Sequence, residues 1–210
     1  ASDVYKRQEE YIASENSNTN TSEKNFIQAR AAFTPVKMSD FSNLYATRPN
    51  GTKQQVTQHC SPTAATNIML CFRSIGDSPL SSSLSNSTIF MELYYALDTN
   101  AISTSNTVQA NGTTRSKIQP GIKKFCSNRS CSPSSIGTIT SVTLAKIKSH
   151  IDDGELLLAS LDDFSGAGGH SVVFVNYTGN NVYLCTGWDT SYHWYAYSNL
   201  KIPQFVYVGY

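Results

Sequence analysis

The spacing of apolar residues changes along this chain from a helical period to short, strand-like runs. Apolar positions recur every three or four residues in four segments, which predicts helices over 60–75, 87–97, 113–125 and 143–151. After Gly154 the apolar runs shorten and are separated by Gly, Asn and Asp, which predicts strands over 156–161, 171–177, 182–186, 193–197 and 204–208. Helices followed by strands indicate an α+β fold.

The first fifty residues carry weaker patterns. Residues 1–24 are polar and rich in Asn, Ser and Thr. Short helices are predicted over 5–13 and 26–32, and an irregular segment over 33–56. We expect residues 1–50 to form an N-terminal arm, or the remnant of a propeptide or linker, and residues 51–210 to form the main domain.

Cys60 lies where the most strongly periodic helix is predicted to begin. Pro62 suits the first turn of a helix, and Gly76 followed by Pro79 supplies a stop signal. The free amides and the positive dipole end at a helix N-terminus favour a thiolate, which is the nucleophilic form of cysteine. Free cysteines are also common in protein cores, so Cys60 alone leaves a structural interpretation open.

His170 lies at the start of a predicted strand whose apolar run indicates burial on both faces. The segment 165–169 before it is rich in glycine, which allows a substrate to approach the backbone closely. A histidine in this position could also be a buried core residue. One cysteine and one distant histidine together fit the pattern of Cys/His nucleophilic catalysis, with the two residues on different halves of the fold.

Three motifs carry a resemblance to a known family. They are the helix start Cys-Ser-Pro-Thr-Ala-Ala-Thr-Asn from Cys60, the Gly-Gly-His ending at His170 before an apolar strand, and the Gly-Trp pair ending at Trp188. Over residues 52–210 the chain resembles the papain-like bacterial cysteine peptidases, in particular the streptopain-like and double-glycine-peptidase-like groups. The resemblance implies a papain-like fold, with an N-terminal helical lobe, a C-terminal antiparallel sheet and a peptide-cleaving site between them.

The resemblance also implies a glutamine that stabilises the oxyanion. Papain-like enzymes place this residue a few positions before the cysteine, and Gln54 is the expected residue in this chain. Gln55 and Gln58 are alternatives in the same segment. An amide donor directed at the developing negative charge stabilises the transition state by several kcal/mol in other enzymes.

The residue that orients the histidine departs from the family pattern. Relatives carry Asn or Asp near the Gly-Trp pair, whereas this chain has Cys185 just before Thr186. Asp189 is the acidic residue nearby, and we assign the orienting role to it, with the Thr186 hydroxyl as the alternative. If neither reaches His170, the protein either works with a Cys/His dyad or is an inactive homologue that binds without cleaving.

Composition excludes several classes of function. A net charge of +1 with 15% charged residues gives no basic surface for nucleic acid, and no run of eighteen apolar residues predicts a membrane span. The Cys and His spacing does not suit a zinc site, so no metal or cofactor is expected. The Ser, Thr and Asn content is typical of secreted or cell-surface bacterial proteins, although no signal peptide is visible in the chain.

The five cysteines are an odd number, which suits one free nucleophilic thiol, and Cys126 and Cys131 could close a small loop. The predicted function is hydrolysis of peptide bonds in a peptide or protein substrate by Cys60 and His170. Two alternatives remain open on the same scaffold. One is another acyl-transfer enzyme, such as a cell-wall amidase or a transglutaminase-like enzyme, and the other is an inactive binding homologue.

Overall fold

The computed structural model of the chain describes residues 33–76, 80, 83–166 and 168–210. The helices predicted over 5–13 and 26–32 lie outside these described residues. The four α-helices of the described part are α1 (Cys60–Ser74), α2 (Asn86–Ala96), α3 (Ile118–Asn128) and α4 (Leu144–Asp152). The strands are β1 (Tyr45–Thr47), β2 (Lys53–Gln55), β3 (Ser135–Ile139), β4 (Leu156–Asp162), β5 (His170–Thr178), β6 (Asn181–Cys185), β7 (Tyr192–Ala196) and β8 (Lys201–Gly209). The predicted α+β class is confirmed.

Helix α1 is the central helix of the helical lobe. It packs against α2 on one side and against β5 of the sheet on the other. Every residue from Ser61 to Phe72 is buried, which is typical of a helix enclosed by a core rather than one on the surface. Even Thr66 is buried, since its hydroxyl donates to the carbonyl oxygen of Pro62 at 2.8 Å.

Two of the other helices begin with a side-chain cap. The Ser85 hydroxyl accepts a hydrogen bond from the Thr88 amide at 3.1 Å at the start of α2, and the Thr143 hydroxyl caps α4 in the same way. Pro120 does not interrupt α3, because it lies in the first turn, where its missing N–H is not needed.

Six strands form an antiparallel sheet in the order β3-β8-β4-β5-β6-β7. Strands β4 and β5 pair at its centre, with Leu161 opposite His170 and Ser160 opposite Ser171. Apolar residues on one face of the sheet pack against α1 and α3, and those on the other face pack against α4. The predicted turn between β5 and β6 is a two-residue hairpin loop, Gly179 and Asn180.

Residues 33–50 pack against the helical lobe. The ring of Phe41 stacks on that of Phe90 in α2, with centroids 4.0 Å apart, and Ala46 of β1 is buried beside them. Strands β1, β2 and β3 were not predicted; each has only three to five residues. Among the described residues, no helix is long and apolar enough to cross a membrane.

Candidate active site

A cavity of about 490 Å³ lies where the N-terminus of α1 meets the central strands of the sheet. Both Cys60 and His170 line it. Its other walls come from Gln58 and Ser61 beside the cysteine, from residues 111–115, and from the adjoining ends of β4 and β5. The two residues expected to react, 110 positions apart in the chain, therefore line one open cavity.

A buried hydrogen bond joins the two lobes directly beside these residues. The Ser61 hydroxyl lies 2.8 Å from the Ser171 hydroxyl, and each serine immediately follows one member of the Cys60 and His170 pair. The Ser160 hydroxyl, also buried, lines the same cavity and has no hydrogen-bond partner among the described residues. Three serine side chains, those of Ser61, Ser160 and Ser171, are therefore among the residues that line the cavity.

Cys60 is the first residue of α1, and its side chain is partly exposed. The other four cysteines are buried. The first amides of a helix have no partners within it, and the positive end of the helix dipole lies beside Cys60. Two residues earlier, Gln58 adopts a left-handed backbone with φ of 50°, which turns the chain sharply into the helix.

The His170 ring is oriented by a main-chain carbonyl. Its Nε2 lies 2.7 Å from the carbonyl oxygen of Thr186, and because a carbonyl can only accept, Nε2 carries the hydrogen. In the neutral ring Nδ1 then keeps its lone pair and is free to accept a proton. Burial lowers the pKa of His170, and the bond to Thr186 opposes this shift only in part.

Two aromatic rings cover the imidazole. Trp188 stacks on His170 with centroids 4.6 Å apart, and Phe164 stacks on it at 5.6 Å. Trp188 is itself 45% exposed, so it separates the histidine from solvent. Tyr195 packs against Phe164 at 5.3 Å, whereas Tyr192 and Trp194 contact the ring of Tyr183 in the neighbouring strand.

The turn that supplies the carbonyl is held from both sides. Gly187 is buried with φ of +73°, a conformation that glycine adopts without strain. The carbonyl oxygen of Gly187 accepts a hydrogen bond from the Met38 amide at 2.7 Å, and the Thr186 hydroxyl accepts one from the Trp188 amide at 3.2 Å.

We expected Asp189 to orient His170, but the structure places its carboxylate elsewhere. Its carboxylate lies beyond the turn and contacts Nε2 of His193 at 2.9 Å, in an exposed pair. It also accepts the Ser191 amide at 3.0 Å, which is a local turn contact. The main-chain carbonyl of Thr186 occupies the position expected for the orienting group, while the carboxylate of Asp189 lies with His193.

The expectation for Gln54 also differs from the structure. It is the central residue of β2, where strand alternation turns its side chain inward, and it is only 6% exposed. Its amide oxygen accepts from the buried Arg48 and its amide nitrogen donates to the carbonyl of Gln109. The Gln55 side chain donates to the carbonyl oxygen of Ser42. Of the three glutamines, Gln58 is the one that lines the cavity.

One wall of the cavity, residues 111–115, is fixed to both lobes. On the helical side, Oδ1 of the buried Asn100 accepts the Gly112 amide at 2.7 Å, while its Nδ2 donates to the Thr57 carbonyl at 2.7 Å. On the sheet side, Gln204 of β8 donates to the Arg115 carbonyl at 3.1 Å. The Arg115 side chain pairs with Asp162 at the end of β4.

Comparison with known proteins shows the family of the chain and agrees with its fold. Residues 45–207 match the model of the family described as Peptidase C39 like. The chain belongs to the C39-like peptidase family. Its structure is similar to that of a candidate C39-like peptidase from Bacillus anthracis, with a TM-score of 0.50 and 10% identity over 83% of this chain and 97% of the other. That likeness concerns the fold. No curated protein matches the chain.

For this C39-like chain, sequence reasoning missed three parts of the site. A main-chain acceptor such as the Thr186 carbonyl cannot be recognised from the type of amino acid. Gly187, which follows it, is the one sequence signal of an unusual backbone conformation there. Phe164 follows β4 and gave no signal, because an apolar residue there is equally consistent with the core. The wall 111–115 lies in an irregular segment whose position depends on Asn100, and nothing in its sequence indicates that it faces Cys60.

A separate group of possible metal ligands lies at the other end of β4. His150, Asp153 and Glu155 bring ligand atoms within 4.8 Å of one another. The histidine and glutamate already pair with each other, and Glu155 also accepts the Ser135 hydroxyl. Five residues of β4 separate Glu155 from Leu161 at the cavity, about 20 Å along an extended strand. The group is therefore a structural contact outside the C39-like site.

Proposed function

We propose that this chain is a cysteine peptidase in which Cys60 is the nucleophile and His170 is the general acid and base. The observation that carries the proposal is that both side chains line one cavity, with Nε2 of the histidine bonded to the Thr186 carbonyl. That bond leaves Nδ1 as the nitrogen available to the thiol. A thiol and an imidazole supported by a third group are the parts that nucleophilic catalysis of acyl transfer requires.

The chemistry begins with a proton transfer. The Cys60 thiol gives its proton to Nδ1 of His170, and the thiolate attacks the carbonyl carbon of the substrate. The imidazolium then donates the proton to the leaving amine, and an acyl-enzyme remains on the sulfur. In the second half of the reaction the neutral ring accepts a proton from water, which attacks the thioester and releases the acid.

The oxyanion of each tetrahedral intermediate needs hydrogen-bond donors. Main-chain amides at the start of α1 are suitable, since they are free at a helix N-terminus and face the cavity where Cys60 lies. The side-chain amide of Gln58 is the second donor that we propose, in place of Gln54, because Gln58 lines the cavity.

Burial of His170 bears on the resting state of the pair. Because burial lowers its pKa, the ring is neutral at physiological pH and ready to accept a proton. The Thr186 carbonyl contributes in the next step, since it stabilises the imidazolium that forms. The alternative of an inactive homologue rested on the missing Asn or Asp partner of the histidine, and this carbonyl supplies a partner.

Selective labelling of Cys60 tests the proposal. Iodoacetamide at neutral pH is expected to modify Cys60 faster than the four buried cysteines, and the His170→Ala variant is expected to react more slowly because the base is missing. Casein hydrolysis should be absent in Cys60→Ala and reduced about 10²–10⁴-fold in His170→Ala. His193→Ala is the matched control, since that histidine pairs with Asp189 outside the cavity, and it should keep near-normal activity.

Two results would contradict this function. Labelling of Cys60 no faster than that of the buried cysteines would remove the nucleophile. Reactive Cys60 with cleavage of peptidoglycan amides but not of casein would instead identify the other acyl-transfer enzyme on the same scaffold.

A further inference from the structure

The C-terminal turn of α3 brings two cysteines together. Ser130 adopts a left-handed backbone with φ of 55° directly after the helix. The amide of Cys131 donates to the carbonyl of Cys126 at 2.8 Å, and the amide of Ser130 donates to that of Ser127 at 3.2 Å. These are the two hydrogen bonds of a Schellman motif, in which the first and last residues place their side chains in contact. Apolar residues usually make that contact, whereas here both residues are cysteines.

The distance between the two cysteines suits a disulfide. With a hydrogen bond of 2.8 Å between the amide of Cys131 and the carbonyl of Cys126, standard bond lengths hold their Cα atoms within about 7 Å of each other. Cysteines further apart than about 7 Å cannot be bridged without movement of the backbone, and most disulfides span Cα distances of about 4.4–6.8 Å.

The side chains also point to the same place. Both belong to the core cluster on the α1 face of the sheet, with Cys126 3% and Cys131 6% exposed. The Cys126 sulfur lies 3.5 Å from the hydroxyl of Tyr210, and the Cys131 thiol interacts with the same hydroxyl. A single phenolic oxygen therefore contacts both sulfur atoms, so both thiols are directed towards the same group.

We propose that Cys126 and Cys131 form an intramolecular disulfide that closes the cap of α3, and that Cys60 is not part of it. The oxidant is a low-molecular-weight disulfide such as oxidised glutathione. The Cys126 thiolate attacks one glutathione sulfur and releases one reduced glutathione. The Cys131 thiolate then attacks the mixed disulfide and releases the second. Two thiols lose two electrons and two protons, and one glutathione disulfide becomes two thiols.

Peptide mapping without reductant tests the pair directly. Trypsin cleaves after Lys124, Arg129 and Lys146, so it separates the two cysteines into peptides 125–129 and 130–146. The full chain is incubated with oxidised glutathione, free thiols are blocked with iodoacetamide, and the digest is analysed by mass spectrometry. We expect the two peptides to appear joined, two hydrogen masses lighter than their sum, and to separate when dithiothreitol is added.

Cys131→Ser is the control, because it keeps the turn and removes one sulfur, and its digest should lack the joined peptides. Three results would overturn the proposal: separate peptides with both cysteines alkylated, glutathione adducts on both, or Cys126 joined to a cysteine other than Cys131. The readout does not depend on peptidase activity, so it succeeds or fails independently of the function proposed above.

Discussion

The imidazole of His170 is fixed by one hydrogen bond and covered by two rings. The Thr186 carbonyl sets which nitrogen carries the hydrogen, and the rings of Trp188 and Phe164 pack against the imidazole and against each other. Burial is the main cause of the lowered pKa of His170, so the rings that bury the imidazole also help to lower its pKa. The ionisation of this one residue therefore depends on side chains that take no part in proton transfer.

The pH dependence of catalysis follows from this cover. A base with a lowered pKa stays neutral further into the acid range, so kcat/KM should fall only as the pH drops below the ordinary imidazole value of 6.5. Trp188→Ala admits water to one face, and we expect the acid limb of the kcat/KM profile to move to higher pH. Trp188→Phe keeps an aromatic cover and should leave the limb close to that of the parent protein.

A shift of the acid limb to lower pH in Trp188→Ala would contradict this account. It would show that attraction between the Trp188 ring and the imidazolium outweighs the effect of burial.

At the level of local elements, the turn from Thr186 to Trp188 delivers a main-chain atom to the site. It can do so because Gly187 tolerates a left-handed backbone and because the Met38 amide bonds to its carbonyl. The start of α1 likewise places main-chain amides beside Cys60, the proposed nucleophile. In both elements, the backbone conformation matters more to the site than the side chains around it.

Replacing this glycine tests the turn as an element. Gly187→Ala forces a left-handed conformation on a residue with a Cβ atom, at about 1–2 kcal/mol, and should displace the Thr186 carbonyl. We expect kcat/KM to fall about 10- to 100-fold, as for other small misplacements of catalytic groups.

Gly179→Ala is the matched control for that variant. Gly179 is also left-handed, with φ of +51°, and lies in the hairpin between β5 and β6 with no atom near its added Cβ. Thermal unfolding should show similar losses of stability in the two variants. An equal loss of activity in both would mean that the turn at Gly187 has no special role.

The elements themselves were largely predictable. The four described helices and strands β4 to β8 were recognised from the spacing of their apolar residues. Strands β1 and β2 were missed, since three residues give too short a pattern. Strand β3 is as long as β6 and β7 but has only two apolar residues, Ile136 and Ile139. Gln54 was assigned to the site from the resemblance to papain-like enzymes, but it lies in β2, and the alternation of that short strand turns it towards Arg48.

On the scale of the whole molecule, the helical lobe and the sheet meet at α1 and β5, and this contact brings Cys60 and His170 to one cavity. Cys60 and His170 were identified from the sequence because each begins an element with a strong pattern. The surroundings of the pair were not identified from the sequence. The 111–115 wall and the Thr186 carbonyl reach the pair through contacts between distant segments. Long-range packing of this kind leaves no periodic trace in a single sequence.

The hydrogen bond between Ser61 and Ser171 is the test at this scale. Ser61→Ala leaves the buried Ser171 hydroxyl without its partner, and we expect a loss of about 1–3 kcal/mol in the free energy of unfolding. The double variant Ser61→Ala/Ser171→Ala should lose less than the sum of the two single variants, since both hydroxyls are then absent. Denaturant unfolding of the four proteins measures this coupling, and strictly additive losses would show that the contact does not link the lobes.

The group that orients His170 is a main-chain carbonyl, and this affects how such a site is recognised in a sequence. Any amino acid at position 186 offers the same carbonyl to the imidazole, although the Thr186 hydroxyl also holds the turn by accepting the Trp188 amide. Searches that demand an amide or acid side chain beside the histidine would not recognise this site. Glycine at a left-handed corner one residue later is the more informative mark to look for.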